Sequence, residues 1–327
     1  MAKGDTIKRE TLHIFDLILK QLIRLSNIAV INFINGLFGV NHPANSTVEY
    51  PNTENVSKKL RRLMSDTIVI IGGVHVYHVE AEISYNADIA LRAFEYGFAE
   101  GLRTKETSED GKISIKFPGA RVIYWETTAE TPDEAVLSLE FPDGGHYDYR
   151  VRAFKFLEHG IGELEAQKLT ILLPFYVLKL RKMAVRAKSS ARRAKLAAEM
   201  KSILGELVEA VERGGQTGLM DESDKRTVLE HMERLYRELF SQYGEFTEAD
   251  TMLQDRILTY SEEAELRGIK KGIEKGIEKG IEKGIEKGRA EGKFDVARNF
   301  LAMGLTLEQV AEGTGLPQNE LQALLPH

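Results

Sequence analysis

The 327-residue chain has no cysteine, which excludes disulfide staples and cysteine-ligated zinc. Long apolar runs are missing as well. No stretch approaches the roughly 18 uninterrupted apolar residues of a membrane span, so no membrane partner is expected. Asp16, Lys20 and Arg24 break up the apolar stretch near the N-terminus. That pattern predicts no signal peptide, and the expected compartment is cytoplasmic. Positive charge is not in excess: 44 Lys and Arg stand against 50 Asp and Glu, for a formal charge of −6. A generally basic nucleic-acid coat is therefore excluded, and any such surface must be local. There is no Walker loop and no dinucleotide fingerprint, and Gly72-Gly73 is too short to cradle phosphate. His75, His78, His146 and His159 are scattered, and no Ser-His-Asp spacing stands out. What remains is an ordinary globular composition, 43% hydrophobic. It is long enough for one sizeable domain with appended helical units.

The most informative segment is SDTIVIIGGVHVYHVEAEISYN, residues 65–86. Residues 67–71 and 74–83 are rich in β-branched and aromatic types and flank the two glycines, which predicts a hairpin. Along the second strand Tyr77, Val79, Ala81 and Ile83 are mostly apolar, while His78, Glu80, Glu82 and Ser84 are polar. Because side chains alternate, one face packs on a core and the other meets a cleft or solvent. Register decides whether Asp66 joins the two glutamates. A two-residue loop sets Asp66 opposite Val79, on the wrong face. A three-residue loop or a bulge sets it opposite Glu80 and also aligns Val69 and Ile71 with Tyr77 and Val79. The latter is predicted. Asp66, Glu80 and Glu82 would then converge to hold a hard divalent cation, the usual means of cutting phosphodiesters. The bland alternative makes Glu80 and Glu82 the wet side of an edge strand and Asp66 a turn residue.

Asp66, Glu80 and the helix ADIALRAFEYGF, with Arg92 and Tyr96, resemble the PD-(D/E)XK nuclease superfamily. Within it they resemble the Rpn family of recombination-promoting nucleases, also grouped under transposases. IFDLILKQLI with Asp16 and Lys20, VINFINGLFG, RVIYW, LEFPDGGHYDYRV and LTILLPFYVLKLRK follow in that family's order. The resemblance implies a restriction-endonuclease-like mixed sheet flanked by helices. It also implies DNA as partner and Mg2+ as cofactor, with Mn2+ as a substitute. One position departs from the pattern: Glu82 stands where the family has Lys or Gln, and a carboxylate supplies no positive charge there. It could bind metal or act as a base, or mark a weakened enzyme. Lys20 and Arg92 are the cations that would fill that need.

Residues 87–103 read as helix, and 120–126, 135–142 and 147–156 as strands. Together with the hairpin they predict an α/β sandwich around a mixed sheet. Everything after 161 reads as helical, with Pro174 kinking or restarting a helix across 162–183. Residues 55–65 hold a basic cluster of Lys58, Lys59, Arg61 and Arg62. Residues 179–195 hold eight Lys or Arg and no acid, either a phosphate-tracking surface or a solvated linker helix. From Gly268 to Gly292 a glycine recurs every four residues within GIEK repeats. A four-residue step drifts about 40° per repeat around a helix, so the isoleucine stripe cannot form a straight seam. The repeat reads as a marginal spacer helix, with self-association as its functional alternative. The last residues, LTLEQVAEGTGLPQNEL among them, resemble a helix-turn-helix, yet QNELQALL has no Arg or Lys to grip phosphate. The expected division is 1–185 nuclease-like domain, 186–260 helical extension, 261–293 spacer helix and 294–327 terminal unit. The expected function is metal-dependent DNA cleavage, catalysed by Asp66, Glu80, Glu82, Lys20 and Arg92. This reading allows a homo-oligomer through the C-terminal helices. Two readings of other classes stand beside it: a catalytically impaired nuclease fold that binds nucleic acid or protein, and a helical scaffold.

Overall fold

A computed structural model describes residues 9–51, 68–241, 243, 246 and 248–324. Asp66 and the basic cluster at 55–65 lie outside the described residues. The chain divides into two compact units, Met1–Leu258 and Thr259–His327.

The first unit is built on a six-stranded mixed sheet. Its strands are β1 (Val48–Glu49), β2 (Ile68–Ile71), β3 (His75–Glu82), β6 (Gly119–Tyr124), β7 (Glu134–Glu140) and β8 (His146–Lys155). The spatial order is β1-β2-β3-β6-β8-β7. A separate ribbon pairs β4 (Glu106–Thr107) with β5 (Ile113–Ser114). β2 and β3 are antiparallel, with Ile68 opposite His78 and Ile71 opposite His75. Their loop is therefore Gly72-Gly73-Val74, the odd-numbered loop that the alternation of side chains predicts. Gly72 and Gly73 take φ values of 63° and 71°, a left-handed conformation that costs glycine nothing. β3 then pairs in parallel with β6, and β6 in parallel with β8. Parallel neighbours need a long crossover, and helix α3 (Ile89–Arg103) supplies it between β3 and β6.

The sheet is covered on both faces. Ile89, Ala90 and Ala93 of α3 pack with Val122, Tyr124, Ala135 and Val151. On the opposite face Phe38, at the end of α2 (Asn27–Phe38), meets Tyr77 of β3 at 4.7 Å between ring centroids. Arg121 of β6 donates to the Leu37 carbonyl at 3.2 Å on that same side. Helix α1 (Arg9–Leu22) precedes α2. The chain after β8 runs through α4 (Ile161–Ala166), a 3-10 segment (Thr170–Tyr176), α5 (Val177–Arg186), α6 (Ser190–Gln216) and α7 (Glu222–Phe240). The helix expected across 162–183, kinked or restarted at Pro174, is thus three pieces. Pro174 sits inside the 3-10 segment, whose tighter backbone accepts the loss of one donor before α5 restarts. Trp125, the only tryptophan, stacks on Phe175 of that segment at 4.0 Å. Gly36 of α2 is obligatory for this packing, because a Cβ there would come within 1.8 Å of the Gln167 carbonyl oxygen.

A buried carboxylate ties the early helices to the late ones. Asp224 of α7 accepts from the Ser26 backbone N–H at 2.9 Å, from the Ser26 hydroxyl, and from the Asp221 N–H at 3.0 Å. Ser26 and Asp221 are the N-caps of α2 and α7, so one side chain serves two helix starts.

The second unit contains most of α8 (Glu248–Ala302), followed by α9 (Leu307–Thr314) and α10 (Gln318–Gln322). Ala297, Val310, Leu316 and Leu321 form its core. Thr306 and Gln309 make a capping box for α9, and Gly304 and Gly315 close the preceding helices at φ 86° and 68°. α10 is a single short turn-and-a-half of five residues, too brief to lie along a DNA groove as a reading helix. The GIEK repeats are continuous helix, and Ile273, Ile277, Ile281 and Ile285 are all more than half exposed.

Two outcomes test these assignments. Asp224→Ala is expected to lower unfolding stability by about 2 kcal/mol, since it strips partners from buried donors at two caps. Chemical denaturation followed by Trp125 fluorescence measures this, and an unchanged midpoint would refute the double cap. A Cβ added at Gly276, Gly280 or Gly284 meets open space. Each Gly→Ala change there is therefore expected to stabilise the helix by up to about 1 kcal/mol, read as higher helicity and a later melt by circular dichroism.

Candidate active site

Glu80 and Glu82 project from the same face of β3. In the parallel register Glu80 lies opposite Val122 and Glu82 opposite Tyr124, both in the core beneath α3. The carboxylates therefore face α3. β3 lies between β2 and β6 in the strand order, and at Glu80 and Glu82 its neighbour among the described residues is β6. The face that carries them is partly covered and partly open. The Glu80 and Glu82 side chains are 18% and 25% exposed, and His78 is 2% exposed.

Carboxylates brought this far inside need positive partners. Glu82 receives one from Arg92, whose guanidinium Nη2 donates to Oε1. Arg92 sits one turn into α3, where the helix passes over the end of β3. Burial works against its charge, but the hydrogen bond to Glu82 and the charges of Glu82 and Glu80 outweigh that and raise its pKa. Glu80 meets Nε2 of His78 at 3.1 Å. His78 is held in turn by Tyr96, one helical turn beyond Arg92, with ring centroids 5.0 Å apart in an edge-on arrangement. Burial, then the negative charge of Glu80, pushes the Tyr96 hydroxyl up from its ordinary range. Burial also drives Tyr124 up to about 12, with Tyr85 and Glu82 adding to it. Burial is the leading cause for both tyrosines, and the glutamate charges add to it. Among the described residues, Nδ1 of His78, Nε of Arg92 and the Tyr124 hydroxyl are buried without a hydrogen-bond partner.

Of the residues nominated from sequence, Glu80, Glu82 and Arg92 come together. Lys20 pairs with Asp16 at 2.8 Å one turn away on α1, a helix packed against α7 and the 3-10 segment. Asp66 lies outside the described residues. Among the described residues no group of three His, Cys, Asp or Glu converges as a metal cage. The chemistry of the described pair still suits a hard cation. Mg2+ commonly takes one or two carboxylates and fills its other positions with water and phosphate oxygens. Sequence reasoning missed Tyr124. Its signal, the alternation in RVIYW, is visible only once the parallel register sets it beside Glu82.

Tyr124→Phe removes a buried hydroxyl that has no partner. The expected result is unchanged stability or a gain of up to about 1 kcal/mol. A clear loss in the denaturation midpoint would mean that the hydroxyl is bonded.

Compared with protein-family models, curated proteins and solved structures, the chain matches none.

Proposed function

We propose that the chain is a Mg2+-dependent DNA endonuclease of the recombination-promoting type, on a restriction-endonuclease-like fold. One observation carries the reading: an interior strand presents Glu80 and Glu82 two residues apart on one face, with Arg92 bound to Glu82. The third oxygen ligand in this reading is Asp66, which lies outside the described residues.

Mg2+, when bound, would polarise the scissile phosphate and lower the pKa of a water. Glu80 and Asp66 would supply its carboxylate oxygens. His78 holds Oε1 of Glu80 through its Nε2, which would leave Oε2 for the ion. Glu82 acts through Arg92. A carboxylate cannot stabilise a phosphorane-like transition state, but it can hold a guanidinium where Lys or Gln stands in the resembled family. Arg92 then supplies charge and a donor fork toward phosphate oxygens.

A second reading is favoured by the same ion pair. With its oxygen engaged by Arg92, Glu82 is a poor metal ligand, and the chain would bind nucleic acid without cutting it. Purified protein with Mg2+ or Mn2+ is expected to nick supercoiled plasmid. Asp66→Ala and Glu80→Ala are expected to lower the rate by roughly 100-fold or more. Absence of metal-dependent nicking by the wild type, with cutting gained by Glu82→Lys, would overturn the first reading in favour of the second.

A further inference from the structure

The most basic stretch of the chain, residues 179–195, forms a bend between two helices. α5 ends at Arg186 and α6 begins at Ser190. Ala187, 2% exposed, anchors the bend in the protein. The Ser189 hydroxyl caps α6 by accepting from the Arg192 N–H at 3.3 Å. The elbow leaves a cleft of about 610 Å³ lined by Arg186, Arg192 and Lys195, with Met183 and Leu196 as its apolar floor.

The cations around this cleft differ from the paired cations deeper in the first unit. Lys225 is buried and paired with Glu212 at 3.1 Å and Glu222 at 2.9 Å, and Arg256 also binds Glu212. Those are structural charges, neutralised in place. Arg186, Lys188 and Arg192 are exposed, and no acidic partner is present for them among the described residues. The one acid at the cleft, Glu199, approaches Lys195 only at 3.9 Å. In a chain of net charge −6, concentrating unpaired cations at one elbow is costly in self-repulsion unless an anion relieves it.

The elbow is also tied to the candidate site. Arg181, on the same helix as Arg186, reaches Glu126 at 3.6 Å. Glu126 follows the end of β6, and its N–H bonds the carbonyl of Ile83, the residue after Glu82. From Arg181 to Arg186 the helix advances about 7.5 Å, roughly two nucleotide steps along one strand of duplex DNA.

We propose that the α5–α6 elbow is a sequence-independent phosphate-gripping surface, in which Arg186, Arg192 and Lys195 hold the backbone of duplex DNA beside the strand end that carries Glu82. Two guanidiniums offer forked donors to phosphate oxygens, and the positive end of the α6 dipole adds to the field. The proposal deepens the nuclease reading but rests only on its nucleic-acid part, because it needs neither metal nor cleavage.

The test is fluorescence anisotropy of a labelled duplex of about 20 base pairs with the full chain in EDTA, titrated across a range of salt. Wild type is expected to bind with a salt-dependent constant. In Arg186→Ala/Arg192→Ala/Lys195→Ala the slope of log K against log salt should flatten by about 2–3, near 0.9 for each phosphate no longer neutralised, and low-salt affinity should fall at least tenfold. Arg186→Lys/Arg192→Lys/Lys195→Arg should restore most of the slope, which guards against a merely misfolded triple variant. Arg226→Ala, on the exposed face of α7, should leave it unchanged. An unaltered slope in the triple variant, no binding by wild type at low salt, or binding to anionic lipid vesicles in place of DNA would each overturn the proposal. Loss of cutting in Glu80→Ala with the binding slope intact bears on the active-site reading alone.

Discussion

A guanidinium laid on a carboxylate holds the centre of this molecule in place. β3 carries two glutamates into the interior of a six-stranded sheet, a placement that unpaired charge would not tolerate. Arg92 resolves half of the difficulty by binding Glu82, and His78 with Tyr96 attends to Glu80. All of these partners except His78 come from α3. The crossover helix is therefore more than a connection between parallel strands. Its small residues, Ala90 and Ala93, let it lie close to the sheet, and its Arg92 and Tyr96 then reach the carboxylates. Remove the parallel pairing of β3 with β6 and neither glutamate would be interior, nor would α3 be above them.

Much of this was legible in the residues. The alternation in HVYHVEAE set His78, Glu80 and Glu82 on one face, and the apolar match of Val69 and Ile71 with Tyr77 and Val79 selected a three-residue loop. What was hidden depends on long-range pairing. β3's place inside the sheet required β6, nearly forty residues later in the chain, so the burial of Glu80 and Glu82 could not be seen from the hairpin. The break at Lys168, a residue with φ 61°, and the 3-10 path through Pro174 were equally invisible. In LTILLPFYVLKL the proline announces an interruption, but the 3-10 form it takes is set by packing against Trp125 and α7.

The site and the elbow use charge in opposite ways. At the end of β3, and again at Lys225 and Arg256, cations are consumed by acids nearby. At the bend after α5 they are left facing solvent. Within a chain of overall negative charge, the bend gathers several such solvent-facing cations in one place.

The carboxylate of Asp224 has a bearing on how the chain comes into being. Its partner Ser26 lies 198 residues earlier in the sequence. At a ribosomal pace of roughly 5–20 residues per second, the start of α2 waits on the order of 10–40 seconds for its completing group to be synthesised. Until then α2 starts on the cap that Ser26 itself gives the Ala29 N–H, and the latch to α7 is added last.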